Sequence, residues 1–419
     1  MYLCNMLVHG KKILIVCVLV LLAYSHRAVA QVSQLFYEDP RIDSAEVKEL
    51  YLEVRAHSFF KNNEFLGEKV KGYTLPGFRM MPQFSLALSK RVRMEVGVNL
   101  LRFWGGEFYP CYSYLGISQW ESEQYQKGVH ILPVMRAQFS PMDRLHIVFG
   151  TLYNLNNHWL SYPIFNNELN YTSDPENGVQ VLYENKYYTS DVWLNWQSFI
   201  FENENQQEMF VFGYSSRTKL PTLFGRLDFS VPLFFLAQHR GGEINSSESK
   251  GVKTASNYGT GLIANVDVEK PWLNSVSLGM HYFGFLQNVG SLYPFSNGWA
   301  VYPELTLSAL DFKLHLAYWV SEDFITLLGS PHFGNMSAKK DDLVFDKMDM
   351  FVARVEYCYL KSRYFSFGVD GSYIRYFPYT GTFTDNTPLE RGVSNSFSFG
   401  LYLNINPKVR VCNLSSRID

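Results

Sequence analysis

The sequence predicts an all-β fold, one antiparallel up-and-down transmembrane β-barrel of about 16 strands, within a range of about 14 to 18. Three observations carry that expectation. Apolar residues fall on every second position in one stretch after another, and short connections alternate with long ones. Aromatic residues make up 16% of a chain whose mean hydropathy is only −0.11. A wall that is oily outside, wet inside and ringed with aromatics averages out in this way.

The clearest stretch is Phe84 to Leu100, FSLALSKRVRMEVGVNL. Phe84, Leu86 and Leu88 fall in line on one arm, and Val92, Met94, Val96, Val98 and Leu100 on the other. A period of two means strand, and Ser89-Lys90 leaves room only for a hairpin turn. Opposite the apolar file stand Arg91, Arg93, Glu95, Gly97 and Asn99, so one face is oily and the other charged or small. A half-buried soluble hairpin would show this once. Here it returns along the chain with no helical domain to cover the apolar faces, which points to a membrane barrel.

Taken in order, the chain opens with a targeting segment. Lys11 and Lys12 precede an apolar run from Ile13 to Ala23, and Ala28-Val29-Ala30 supplies the small residues a signal peptidase reads. That run falls short of the roughly 20 residues of a spanning helix. Residues 1–30 therefore read as a cleaved signal peptide, and with no Cys at the cleavage point a lipoprotein is not expected. Residues 31–46 show no periodicity and read as a short periplasmic leader, and residues 47–405 as the barrel.

The first strand is expected near Val47 to Phe60, with Leu50, Leu52, Val54 and Ala56 on one side and Glu53, Arg55 and His57 on the other. Strands two and three are placed at Phe78 to Leu88 and Arg91 to Arg102. The next two, His130 to Phe139 and Arg144 to Tyr153, are joined by Ser140-Pro141-Met142-Asp143, which suits a tight turn. Four further pairs follow: Val179 to Lys186 with Ser190 to Phe199, Met209 to Ser216 with Gly225 to Phe235, Tyr258 to Val268 with Asn274 to Phe285, and Trp299 to Leu307 with Asp311 to Trp319. The last three strands are Met350 to Tyr359, Tyr364 to Arg375 and Ser396 to Ile405. Links after even-numbered strands are short. Those after odd-numbered strands are mostly long, as at Lys61 to Gly77, Phe103 to Gly128, Asn157 to Gly178 and Ser321 to Asp349. Outer-membrane barrels have short periplasmic turns and long outer loops, so a periplasmic N-terminus puts every long loop outside.

Aromatics at strand ends, namely Phe59 and Phe60, Phe103 and Trp104, Trp272, Phe283 and Phe285, Tyr318 and Trp319, and Tyr376 and Phe377, are expected to form the interfacial belt. Without Lys11, Lys12 and Arg27 the 37 basic residues become 34 against 39 acidic ones, a balance that argues against nucleic acid as a partner. Cys111, Cys358 and Cys412 are too few and too scattered for a disulfide framework or a metal site.

With these features the chain resembles porin-like outer-membrane barrels of Gram-negative bacteria. Its GYTLPGF (Gly72 to Phe78), its WLNWQSFIF (Trp193 to Phe201) and its aromatic richness make it similar to barrel proteins of the Bacteroidota. The resemblance covers residues 47–405 and implies no specific chemistry. Such barrels commonly end on an aromatic residue that the assembly machinery reads, whereas here a tail, residues 406–419, runs past the last strand.

Alternation assigns the inward face to Glu53, Arg55, His57, Arg93, Glu95, Arg136, Arg226, Asp228, Lys313, His315, Arg354 and Glu356. Arg or Lys at the lipid midplane costs roughly 2 to 4 kcal/mol, so inward placement is the inexpensive one. Acid and base at i and i+2 pair readily, and they either set solute selectivity or fill the lumen with salt bridges. A barrel enzyme would have to draw on His57, His281 and His315, with Ser277 on the face of His281. No local motif supplies a nucleophile with a base and an orienting group, and a non-enzymatic protein is expected. Asp341, Asp342, Asp346 and Asp349 do not have the spacing of a calcium loop, and Lys339, Lys340 and Lys347 oppose one. No cofactor is expected.

The expected function is passive diffusion of small hydrophilic solutes across the outer membrane. The alternative is a non-conducting scaffold or receptor that binds envelope proteins or glycans through long loops, with Phe108 to Trp120 as its best surface. The expected partners are outer-membrane lipid, the solutes, further copies of the chain in a trimer, and envelope proteins.

Overall fold

The computed structural model describes residues 32–105, 129–154, 157–198, 208–223, 225–241, 251–270, 272–340, 342–359, 362 and 364–414. The expected signal peptide, Cys111 and the aromatic segment Phe108 to Trp120 lie outside these residues. The first thirteen strands are β1 (Glu49–Phe65), β2 (Tyr73–Ser89), β3 (Val92–Phe103), β4 (His130–Met142), β5 (Leu145–Thr151), β6 (Asn177–Glu184), β7 (Tyr188–Ser198), β8 (Glu208–Lys219), β9 (Leu227–Gly241), β10 (Lys253–Lys270), β11 (Leu273–Val289), β12 (Asn297–Ala309) and β13 (Phe312–Glu322). The chain goes on through β14 (Leu343–Phe345), β15 (Lys347–Tyr359), β16 (Phe365–Tyr376), β17 (Tyr379–Phe383), β18 (Pro388–Arg391), β19 (Ser394–Ile405) and β20 (Lys408–Asn413).

Each strand from β1 to β13 pairs antiparallel with the next, β15, β16 and β19 continue the wall, and β19 returns to β1 from Ala56↔Ile405 to Phe65↔Ser396. Sixteen strands thus close a barrel. The seventeenth, β20, follows Pro407 and pairs with the foot of β1 from Glu49↔Asn413 to Glu53↔Lys408. The expected tail is therefore in part a continuation of the last strand. β1 and β2 are also longer than the sequence reading placed them, and most of the expected loop from Lys61 to Gly77 is strand. β14, β17 and β18 form a small separate sheet.

Alternation sorts the side chains as a barrel requires. Phe84, Met94, Val96, Ile131, Phe149, Leu262, Leu278, Phe397 and Phe399 are exposed on the outside, an apolar area far beyond what a soluble monomer leaves bare. Of the eleven rings expected in the aromatic belt, Phe60, Trp104, Trp272 and Tyr318 are exposed, Phe377 is half-buried, and Phe59, Phe103, Phe283, Phe285, Trp319 and Tyr376 are buried inside. Neighbours along a strand point to opposite faces, so an adjacent pair contributes only one ring to the belt, and Phe283 and Phe285, two apart, share the inner face.

The interior is filled. From the short-turn end the leader dips inward, where Val32 N donates to Glu356 Oε2 (3.0 Å), Asn404 Nδ2 donates to Leu35 O (2.6 Å) and Gln138 Nε2 donates to Pro40 O (2.6 Å). From the long-loop end, the described residues of 152–176 and 323–346 fold in and join each other: Asn166 N donates to Leu328 O (2.9 Å) and Thr326 Oγ1 to Pro163 O (2.8 Å). Asn257 of β10 holds the second loop with both ends of its amide, at Ile325 O (2.7 Å) and Leu327 N (2.8 Å). Phe324, Phe333, Tyr302 and Trp319 pack where the two loops meet the wall.

Candidate functional site

One part of the wall is too short to span a bilayer. β5 has 7 residues and β6 has 8, between β4 with 13 and β7 with 11. A spanning strand needs about 9 to 11 residues. At about 3.4 Å per residue and a tilt near 40°, β5 rises roughly 18 Å against an apolar band of about 25 Å. Pairing of β4 with β5 stops at Arg136↔Gly150, and that of β6 with β7 at Gly178↔Asn195. Gly150 is the pivot. Its φ is +90°, and a Cβ there would stand 2.1 Å from Met135 O, so only glycine lets the chain leave the wall and turn inward at this point.

Behind the opening lies a cavity of about 510 Å³. Its lining includes Leu132 and Pro133 of β4 and Trp196 and Gln197 of β7, consecutive residues that alternation assigns to opposite faces of the wall. A cavity lined by both faces of two strands passes through the sheet. Its outer margin is apolar, with Pro133 and Met135. Its depth is polar, with Arg55, His57, Arg79 and Glu38.

The inner side of the cavity is the loop that follows β5. Asn157, His158 and Trp159 all have φ between +51° and +62°, a run of left-handed non-glycine residues that costs on the order of 1 to 3 kcal/mol at each position. His158 over-determines that turn. Its Nδ1 meets Asp191 Oδ2 at 2.7 Å, its Nε2 meets Glu176 Oε2 at 2.5 Å, its ring stacks on Trp193 at 4.1 Å, and Ser215 Oγ donates to its carbonyl. Burial alone would hold its pKa down, but the two carboxylates outweigh burial and push it up to about 10. His158 is thus a doubly held cation that fastens the loop to the wall, and neither of its nitrogens is available as a base.

The floor comes from the leader and the first two strands. His57 Nδ1 is 2.8 Å from Asn404 Oδ1, and Arg79 Nη1 donates to Asn170 O at 2.8 Å. Glu38 of the leader takes Arg55 at 2.5 Å and Arg136 at 2.8 Å. Burial works to raise the Glu38 pKa, but Arg136 and Arg55 outweigh it and hold the carboxyl below the ordinary range.

Ten of the twelve residues assigned inward by alternation lie on the inner face. Arg55, Arg93, Glu95 and Arg136 share one network with the leader, in which Arg136 Nη1 meets Glu95 Oε2 at 2.5 Å. His315, Arg354 and Glu356, with Lys313 beside them, form a second, in which His315 Nδ1 meets Glu304 Oε1 at 2.8 Å and Arg354 Nη1 meets Glu356 Oε1 at 3.1 Å. Glu53 belongs to the foot of the barrel with Lys408 at 3.0 Å, and His57 stands in the cavity. Arg226 and Asp228 require correction. Arg226 sits in the turn before β9 and is exposed, and Asp228 lies at the rim, also exposed, taking a hydrogen bond from Thr222 Oγ1 at 2.6 Å. The sequence reading began that strand two residues early. His281 and Ser277, four residues apart on β11, are separated by about 13 Å of strand and form no dyad.

Sequence reasoning missed Glu38, His158, Glu176, Asp191 and Asn404, because they come together from the leader, a loop and strands far apart in the chain. Segment length alone gave no signal: Val179 to Lys186 and Met209 to Ser216 read as equally short, and only the first stays short in the structure, as β6 with 8 residues against 12 in β8.

The family model described as lipid A 3'-O-deacylase-type matches residues 42–414. The chain belongs to the lipid A 3'-O-deacylase-type family. That membership corrects the expectation of a non-enzymatic protein, because this family is one of enzymes. The expectation failed for a physical reason: it asked for a local catalytic motif, and a barrel assembles its polar groups from separate strands. No curated protein matches this deacylase-type chain. Among solved structures it is similar to the outer membrane protein OprD of Pseudomonas aeruginosa, at 9% identity and a TM-score of 0.44, covering 92% of this chain and 98% of that one. It is also similar to OmpT of Vibrio cholerae (11%, 0.43, 86% and 97%) and to OprB of Pseudomonas putida (10%, 0.46, 86% and 94%).

Proposed function

We propose that this protein removes an ester-linked acyl chain from a lipid A-type glycolipid that reaches it sideways, from the bilayer. The observation that carries this reading is the cavity running through the wall above β5 and β6. It gives a lipid a route from hydrocarbon to a polar interior without crossing water. β4 enters from the long connection after β3, so the opening lies toward the long-loop end. With a periplasmic leader that end is outside, and the opening faces the outer leaflet of the outer membrane. The apolar margin at Pro133 and Met135 suits an acyl chain, and the polar depth suits a sugar headgroup.

Passive diffusion of small hydrophilic solutes is the second reading, and the inward charges favour it. Among the described residues, however, those charges pair with one another, and the leader and two loops occupy the lumen. A planar bilayer measurement distinguishes the two. A deacylase of this form gives no sustained conductance, and the purified protein releases fatty acid from lipid A in mixed micelles. Steady ohmic current without fatty acid release refutes the deacylase reading and restores the channel.

A further inference from the structure

The floor of the cavity carries His57 and Arg79, and Asn404 stands behind His57, a row of three side chains whose chemistry is that of ester hydrolysis. Strand register places Asn404 of β19 beside His57 of β1, and His57 beside Arg79 of β2. All three point inward and are buried. Directly opposed residues in a sheet hold their Cβ atoms about 4.5 to 5.5 Å apart, so the row is fixed by the backbone rather than by chance rotamers.

The hydrogen bonds set the protonation pattern of that row. Asn404 Nδ2 donates to Leu35 O at 2.6 Å, and a carbonyl only accepts, so the amide orientation is settled. Asn404 Oδ1 must then accept from His57 Nδ1, at 2.8 Å. His57 is therefore the Nδ1–H tautomer, and its Nε2 carries the lone pair. The ring lines the same cavity as Arg79, whose guanidinium is braced by Asn170 O at 2.8 Å.

We infer that His57 is the general base of the deacylation and Arg79 its oxyanion partner, with Asn404 as the positioning residue. This assignment rests on the deacylase reading. His57 Nε2 takes a proton from water as the water oxygen bonds to the acyl carbonyl carbon. The carbonyl electrons move to oxygen, facing Arg79. The bond from that carbon to the sugar oxygen then breaks, and the proton on Nε2 passes to the departing sugar oxygen. Water and ester become a carboxylic acid and an alcohol, with His57 returned to its starting form.

The test uses the full-length purified protein in detergent with lipid A in mixed micelles, and fatty acid release is quantified by mass spectrometry. His57→Gln lowers the rate by about 10²-fold or more, while keeping the heat-modifiable electrophoretic migration of the folded barrel. Arg79→Lys keeps the charge but loses the planar fork, and lowers kcat with KM little changed. Asn404→Asp supplies the readout that a packing role would not move. The charged groups around the ring are Arg79 from the neighbouring strand β2, Arg55 two residues back on β1 itself and Glu38 from the leader. A carboxylate added at Asn404 favours the imidazolium, so the acid limb of the pH–rate profile moves to higher pH. A folded His57→Gln protein with wild-type activity, or an Asn404→Asp profile that does not move, overturns the row while leaving the deacylase reading intact. Wild-type protein that releases no fatty acid overturns both.

Discussion

Replacing Arg136 by methionine is the sharpest test of how the interior is held together. Its guanidinium makes four hydrogen bonds, to Thr151 O (2.7 Å), Leu152 O (2.8 Å), Glu95 Oε2 (2.5 Å) and Glu38 Oε2 (2.8 Å), and lies 3.7 Å over the ring of Tyr153. One side chain thus ties β3, the leader and the end of β5 together. The Arg136 and Glu95 side chains are 1% and 2% exposed, so removal of the cation leaves a carboxylate with no water to turn to. Breaking a buried pair by deleting one partner costs about 3 to 5 kcal/mol, most of it the charge left behind. Arg136→Met is therefore expected to lose about that much stability in urea unfolding of the vesicle-inserted protein, followed by tryptophan fluorescence. Adding Glu95→Gln to Arg136→Met recovers part of the loss, because Glu38 keeps Arg55 at 2.5 Å and Arg93 keeps Gln138 and Tyr153, so the amide removes the one carboxylate that lost its closest partner. A loss below about 1 kcal/mol, or a double variant no more stable than Arg136→Met alone, refutes this account of the network.

Three further outcomes follow from the same geometry. The Glu38 carboxyl is held below its ordinary range, so its contribution is complete above that range and disappears as pH falls through the depressed folded value. Proteolysis of the leader should accelerate only in acid, and Glu38→Gln should abolish that dependence. The His158 pKa is raised to about 10, so its contribution is complete below the ordinary histidine value and is lost as pH rises through about 10. Thermal unfolding should show the midpoint falling over that interval, and Asp191→Asn should flatten the fall. Gly150→Val forces a branched side chain onto Met135 O at a positive φ. It should cost several kcal/mol and depress release of fatty acid from lipid A, whereas Gly392→Ala, where a Cβ meets nothing within 4 Å and φ is not positive, should leave release unchanged.

The barrel was legible because a strand in a membrane wall has to repeat every second residue and short turns have to alternate with long ones. Neither constraint depends on knowing the neighbours. Glu95, Arg136, Arg354 and Glu356 were placed inward on that rule alone, since the lipid face excludes them. What fills the interior was not legible. Residues 152–176 and 323–346 read as external loops because their polar groups are satisfied by partners remote in sequence, such as Asn257 for Leu327 or Lys61 for Glu168. The site was hidden for a related reason. A row such as Asn404, His57 and Arg79 exists only in the register between strands, and 347 residues separate its first two members.

The leader lies across the place where the chain's two ends are joined. On one side it is bonded to Glu356 and Asn404, on the other to Arg93, Gln138 and Arg136, and the β1–β19 ladder runs between them. It is an internal stitch over the seam of the cylinder. Parting those two strands therefore means breaking the leader's bonds on both sides of the seam as well, so the joint between the first and last strands carries more than its own ladder.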